Sequence, residues 1–252
     1  MQLSIAQTRI TDISQPSIKG KVKHATIYTF RGGNGETPDT TAISGSIVDT
    51  FDENGRQLTQ KNYDSNNSLK EAFTFENSGD SIAVMNQLDD KGMLLVKYIY
   101  KYDSQGKETE FDMESPEQPK YHLAKIDYKC LMKYDDAGNR ISEEQYINKK
   151  ELTMKTTSVY NSKNERIQTL QQSFFGNRAE ETKGIYSYDD KGNLTKSDTY
   201  DSKGNLTGSR SFLYDKFDTH DNWLIQIVSQ KAHTQQGDYV YKGIIKRVIE
   251  YY

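Results

Sequence analysis

Hydrophobic and polar positions alternate along most of this chain with a period of two. In the stretch LLVKYIYKY, Leu94, Val96, Tyr98, Tyr100 and Tyr102 fall on one side of the period and Lys97 and Lys101 on the other. That is the pattern of a half-buried β-strand. No long segment keeps an apolar period of 3.6, so no helix is expected. Each alternating run ends in a short punctuation: an aromatic or apolar residue, Asp or Asn, two polar residues, then Gly, Asn or Asp. Nine copies begin at Phe51, Tyr63, Leu88, Tyr102, Tyr134, Tyr160, Tyr188, Tyr200 and Phe217, and several neighbours are 12 to 14 residues apart. Phe75, Tyr146 and Phe174 fill missing steps. The repeat is too short for a helical unit and fits one strand plus one turn.

The punctuation is turn chemistry. In Asp189-Asp190-Lys191-Gly192, the Asp189 carboxylate can accept from a backbone N–H two residues on, and Gly192 can take positive φ as the bulge residue. Where Gly is missing, Asn67, Asn164 and Asp221 stand in its place, residue types that tolerate the left-handed region. A three-residue loop then sets an offset of six across the ladder. It pairs Tyr63 with Leu69, Leu88 with Leu94, Tyr188 with Leu194, Tyr200 with Leu206 and Phe217 with Trp223. Four turns put Gln57, Glu108, Arg140 and Arg166 at that offset, so those hairpins either end beyond the core or use a different register.

These elements predict an all-β protein: a long antiparallel meander of hairpins, roughly 14–16 strands, curled into an open or partly closed barrel-like sheet that protects its edges. Residues 1–21 read as an N-terminal extension, partly flexible, and 22–252 as a single repeat-built β domain. Irregular loops are expected near 31–42 (which begins RGGNGETPDTT) and 112–120, where two of the four prolines fall.

Composition changes this picture only at its margins. Hydrophobic residues make up 34% of the chain, with 18 Tyr, 9 Phe and 1 Trp, which suggests a thin core and much exposed sheet surface. Acidic and basic residues, 36 and 33, are well mixed, so no basic stripe points to nucleic acid. No apolar run reaches membrane-spanning length. The start, MQLSIAQTRI, lacks the pattern of a signal peptide, although an exported precursor could carry one upstream. Cys130 is alone, which excludes an intrachain disulfide.

The doublet YDDKGNLTKSDTYDSKGNLTG (188–208) resembles the YD repeats of Rhs-type proteins. The chain as a whole, with VKHATIYTF, FDTHDNWLIQIV and IIKRVIEYY, is similar to small exported Bacteroidetes proteins, often lipoproteins, that carry degenerate forms of the repeat. The resemblance implies an antiparallel β architecture and an exported location: periplasmic, outer-membrane-associated or cell surface, with a lipid anchor on the precursor. It implies no catalytic residues. At 252 residues the chain is too short for the large Rhs shell.

No chemical constellation stands out. The acidic turns lack the ligand spacing of a calcium loop, and His24, His122, His220 and His233 are scattered. Cys130 reads as a small core residue. Neither catalytic, cofactor-binding nor metal residues are assigned, and the chain is not expected to be an enzyme. The candidate binding surface is aromatic: Trp223, Tyr98, Tyr100, Tyr239 and Tyr241, each of which would otherwise be sheet core. The expected function is a non-catalytic envelope or extracellular binding module for a glycan or an envelope protein. The alternative is a structural or assembly component of the envelope with no small ligand.

Overall fold

A computed structural model describes residues 18–79, 81–116, 126–176, 178–234 and 237–252. Sixteen strands follow in order: β1 Val22–Asn34, β2 Gly45–Phe51, β3 Gln57–Asp64, β4 Leu69–Ser78, β5 Ser81–Asp89, β6 Leu94–Tyr102, β7 Glu108–Ser115, β8 Ile126–Tyr134, β9 Arg140–Ile147, β10 Glu151–Tyr160, β11 Arg166–Phe175, β12 Arg178–Tyr188, β13 Leu194–Asp201, β14 Leu206–Phe217, β15 Trp223–Thr234 and β16 Gly237–Tyr251. Each pairs antiparallel with the next, and β1 pairs with β16, so the sheet closes completely. Closure leaves no strand edge for another chain to pair with. Both irregular stretches are shorter than expected, because residues 31–34 finish β1 and 112–115 finish β7. Residues 117–125 and the first 17 residues of the N-terminal extension lie outside the described residues.

The predicted turns form as the chemistry dictates. Lys191 and Asn193 backbone N–H groups donate to Asp189 Oδ1 at 2.9 and 2.8 Å, and Asn193 Nδ2 donates to Oδ2 at 2.9 Å. Gly192 has φ 80°, while Asn67, Asn164 and Asp221 take 58°, 61° and 59°. Replacing Gly192 by Ala should therefore cost about 1–2 kcal/mol, and by Asn much less. Urea unfolding of the two variants checks this, and equal midpoints would contradict it. All five predicted cross-strand pairs meet across the ladder. Phe51–Gln57, Tyr102–Glu108, Tyr134–Arg140 and Tyr160–Arg166 keep the same offset, which removes the alternative of a different register. Their polar members stand at the rim, where a long side chain finds other partners; Arg166 lies 5.7 Å over the Tyr186 ring.

Successive turns alternate between the two ends of the barrel, so Asp189–Asn193 and Asp201–Asn205 are at opposite rims. The lower rim carries six of the tight turns, at 52–56, 103–107, 135–139, 161–165, 189–193 and 218–222. A second function of the tyrosines appears there. Tyr102, Tyr160, Tyr188 and Tyr214 hydroxyls donate to the carbonyls of Ile82, Arg140, Arg166 and Leu194 at 2.6–3.0 Å. Each bond ties the end of one hairpin to the start of its neighbour. Burial pushes the Tyr188 phenol up to about 12, so it stays protonated and able to donate.

The seam is reinforced below the sheet. Lys19 N donates to Asn222 Oδ1 at 2.7 Å and Asn222 Nδ2 returns a bond to Lys19 O at 2.9 Å. His220 stacks on Tyr251 with ring centroids 4.3 Å apart, and the Tyr251 hydroxyl donates to Asp218. These contacts pin the chain at residues 18–20 to the lower rim, beside the hairpin of β14 and β15.

The register divides every strand into an inner and an outer set. Ala25, Ile27, Tyr100, Cys130, Met132, Gln145, Phe212, Gln226 and Arg247 are buried, and pairing places them on one continuous face, the inside. Leu213 and Val248, 63% and 60% exposed, lie on the other. Stepping from partner to partner once round the sheet returns to β1 about 20 residues from the start, which for sixteen strands means a tilt of about 40° and a backbone radius of about 15 Å. At that radius opposite walls do not meet, and a lumen replaces a filled core.

Candidate binding site in the barrel lumen

The inner wall is amphipathic around its circumference. From β4 to β8 it presents Phe73, Phe75, Met85, Tyr98, Tyr100, Phe111, Met113, Tyr128 and Met132. Tyr98 and Tyr100 lean on Phe111 with centroids 6.1 and 5.7 Å away, in tilted geometry. Tyr100 is buried in this cluster, while Tyr98 keeps a half-exposed face toward the lumen. Burial raises the Tyr98 phenol, with a smaller push from Glu71. Across the lumen, β10 to β13 present Thr156, Ser158, Thr169, Gln171, Thr182, Ser197 and Thr199 instead.

Beside the aromatic cluster runs a ladder of planar polar groups. Gln60 Nε2 donates to Asn62 Oδ1 at 3.2 Å, and Asn62 Nδ2 to Glu71 Oε1 at 2.7 Å. Gln87 Nε2 donates to Glu71 Oε2 at 2.8 Å. The ladder follows from inward carboxylate and amide residues at neighbouring heights, Gln60 and Asn62 on β3, Glu71 on β4 and Gln87 on β5. Fixed amide donors and acceptors next to aromatic faces are what a ligand with both apolar faces and hydroxyl or amide edges requires.

Toward the lower rim lies a buried cluster. Trp223 is 1% exposed, its ring tilted against Tyr214 at 5.8 Å and covered by the Arg247 guanidinium at 3.4 Å. The expectation of Trp223 as a solvent-facing platform is thus corrected. Pairing with Phe217 and a left-handed Lys216 (φ 58°) accompany a ring whose faces are already occupied. Asp49 stands two strands from Arg247, and burial pushes its carboxyl up to about 6 despite a 2.9 Å bond from Gln57 Nε2 and the opposing charge of Arg247. Burial also brings the Arg247 guanidinium down to about 10.

Tyr239 and Tyr241 stand higher on the same wall, near the upper rim. Pairing with Ala232 and Gln230 puts both on the inner side, Tyr239 exposed at 49% and Tyr241 half-buried. Four of the five candidate aromatics therefore face the lumen, but not one another: Tyr98 and Tyr100 occupy the β6 wall, Tyr239 and Tyr241 the seam. The polar ladder and the buried Asp49 and Arg247 were missed by sequence reasoning. A signal was available for Arg247, which shares the apolar parity of Ile245 and Ile249.

Cys130 is 1% exposed, and burial with the nearby Glu143 pushes its thiol far up, so it is an unreactive wall residue. Among the described residues no group of three or more His, Cys, Asp and Glu side chains is arranged to hold a metal ion. His122 lies outside those residues.

The outer wall is charged. Lys101 bonds Glu110 and, at 3.1 Å, Asp112; Lys129 bonds Glu110 at 2.8 Å. Lys155 pairs with Glu144 at 3.0 Å and Lys196 with Asp198 at 2.8 Å. An apolar row, Leu213, Ile227, Ile244 and Phe30, crosses the outside of the seam.

No protein-family model matches the chain, and no curated protein matches it. Among solved structures it is similar to a porin-like protein from Bacteroides uniformis ATCC 8492, with a TM-score of 0.59 and 9% identity over 91% of this chain and 98% of that one. At that identity the likeness is one of fold. A second similarity, to TcdB2-TccC3, has a TM-score of 0.33 at 14% identity over 81% of this chain and 14% of that one, too low to bear on the fold.

Proposed function

We propose that this chain is a non-catalytic, water-immersed binding barrel of the cell envelope, taking a glycan or a protein segment into its lumen. The observation that carries the reading is the contrast between its two walls. A barrel embedded in lipid needs an outward apolar band about 25 Å tall, and a Lys or Arg at the midplane costs about 2–4 kcal/mol. Here Lys97, Lys129, Lys155 and Lys196 point outward from the body of β6, β8, β10 and β13, with Asp112 and Glu144 among them. The apolar row at the seam spans four strands of sixteen and makes no girdle. The recognition chemistry is inside, where aromatic faces stand beside the amide–carboxylate ladder.

The Asp-capped turns and the tyrosine bonds between hairpins support reading the repeats as YD-type. An exported setting, periplasmic, outer-membrane-associated or at the cell surface, accords with the porin-like Bacteroides neighbour. Purified without detergent, the protein should run as a single species and stay at the bottom of a liposome flotation gradient. Co-flotation, or stepwise conductance in a planar bilayer, would sink the water-immersed reading.

A further inference from the structure

The guanidinium of Arg247 feels the charge of Asp49 two strands away but makes no ion pair among the described residues. Arg247 is 5% exposed, yet no carboxylate among the described residues lies within ion-pair distance of it. Its Nε is sealed from water with no acceptor, and so is the indole Nε1 of Trp223 beneath it. Neither Nη group has a hydrogen-bond partner among the described residues. Buried charges are ordinarily paired, because an unpaired one keeps the full desolvation cost with no Coulombic return. Stacking on Trp223 offsets part of that cost and holds the planar fork in one orientation.

The surrounding wall has the same sign. From β14 through β16 and β1 to β2, the inward residues include Arg210, Arg247 and Arg31 against a single carboxylate, Asp49. Arg210, exposed, is steered by a 3.1 Å bond from its Nε to Gln230 Oε1, which leaves its outer edge toward the lumen. Arg31 stands near the upper rim, so the basic groups descend from the mouth to Arg247. A fixed planar fork with vacant N–H donors matches an oxyanion in geometry and charge. We infer that this wall binds the oxyanion group of a ligand, a carboxylate, sulfate or phosphate, with Arg247 as its anchor. The inference rests on the lumen being the binding site and narrows its ligand to an acidic one.

Trp223 is the single tryptophan of the chain, so its fluorescence reports directly on the Arg247 fork. Titrations at constant ionic strength would use sodium sulfate, inorganic phosphate and trigalacturonate, with sodium chloride and neutral maltotriose as controls. A saturable change is expected with at least one oxyanion and with neither control. A response to sulfate or phosphate without trigalacturonate marks an inorganic ion, and the converse an acidic saccharide. Arg247→Met should weaken the response at least about tenfold, and Arg247→Lys should weaken it less. Without added oxyanion, Arg247→Met should unfold at or above the wild-type temperature. A marked fall would mean that the protein already supplies the partner, and would overturn the inference. So would an unchanged response in Arg247→Met, or a wild-type response to maltotriose alone. The maltotriose result would leave the lumen reading standing, whereas flotation with liposomes would remove that reading and leave the oxyanion result intact.

Discussion

Trp223→Ala will cost the barrel about 3–5 kcal/mol of unfolding free energy, the range for emptying a buried tryptophan site that cannot collapse. Collapse is resisted on three sides. Tyr214 is held by its bond to the Leu194 carbonyl, Arg247 sits within β16, and Phe217 is fixed across the ladder. The loss also removes the ring that covers the Arg247 guanidinium, so a buried cation loses its one close stacking partner. Far-ultraviolet circular dichroism in urea measures the effect, since the variant has no tryptophan to follow. A loss below about 1 kcal/mol would show that the ring packs far less closely than its 1% exposure indicates.

Asp49 makes the second large contribution, and its sign is opposite to that of an ordinary carboxylate. Its folded pKa is about 6 against a reference of 3.8, so between those values the folded protein holds a proton that the unfolded chain has released. Stability from this group is therefore greatest below pH 4, falls as pH rises from about 4 to 6, and is flat above. The full swing is about 3 kcal/mol, taking 1.36 kcal/mol per unit. Other carboxylates act in the reverse direction; Glu144, hydrogen-bonded by Tyr146 and Lys155, is held below its usual value. The quantity to measure is thus the difference between wild type and Asp49→Asn in urea midpoints at pH 4.5, 5.5 and 7. The variant should gain on the wild type as pH rises through the window. Parallel curves would show that Asp49 is solvated in the folded state.

On the proposed reading, the two walls also explain how a porin-like architecture would serve a chain that stands in water. Sixteen staggered strands leave a lumen whatever the side chains are. Which solvent surrounds the barrel is then decided by the outward residues alone. In this chain those residues form lysine–carboxylate pairs from β6 to β13, while tyrosines, amides and an arginine track are turned inward.

The turn type, the offset of six, the left-handed Asn and Asp substitutes and the all-β meander were all legible in the linear chain, because each depends on residues within one hairpin. Alternation likewise separated Tyr98 and Tyr100 from Lys97 and Lys101 without any structure. Only the tertiary structure decided the rest. Closure joins β1 to β16, residues more than 200 apart, and no local rule links them. With both faces of most strands partly polar, alternation divided the residues into two sets but did not say which set enclosed the lumen. Trp223 appeared as a binding platform because a sequence shows the aromatic and not the guanidinium stacked on it from the neighbouring strand. The sequence by itself determined how each corner turns; how many corners close the ring, and which charges it turns inward, depended on contacts between strands that only the folded sheet brings together.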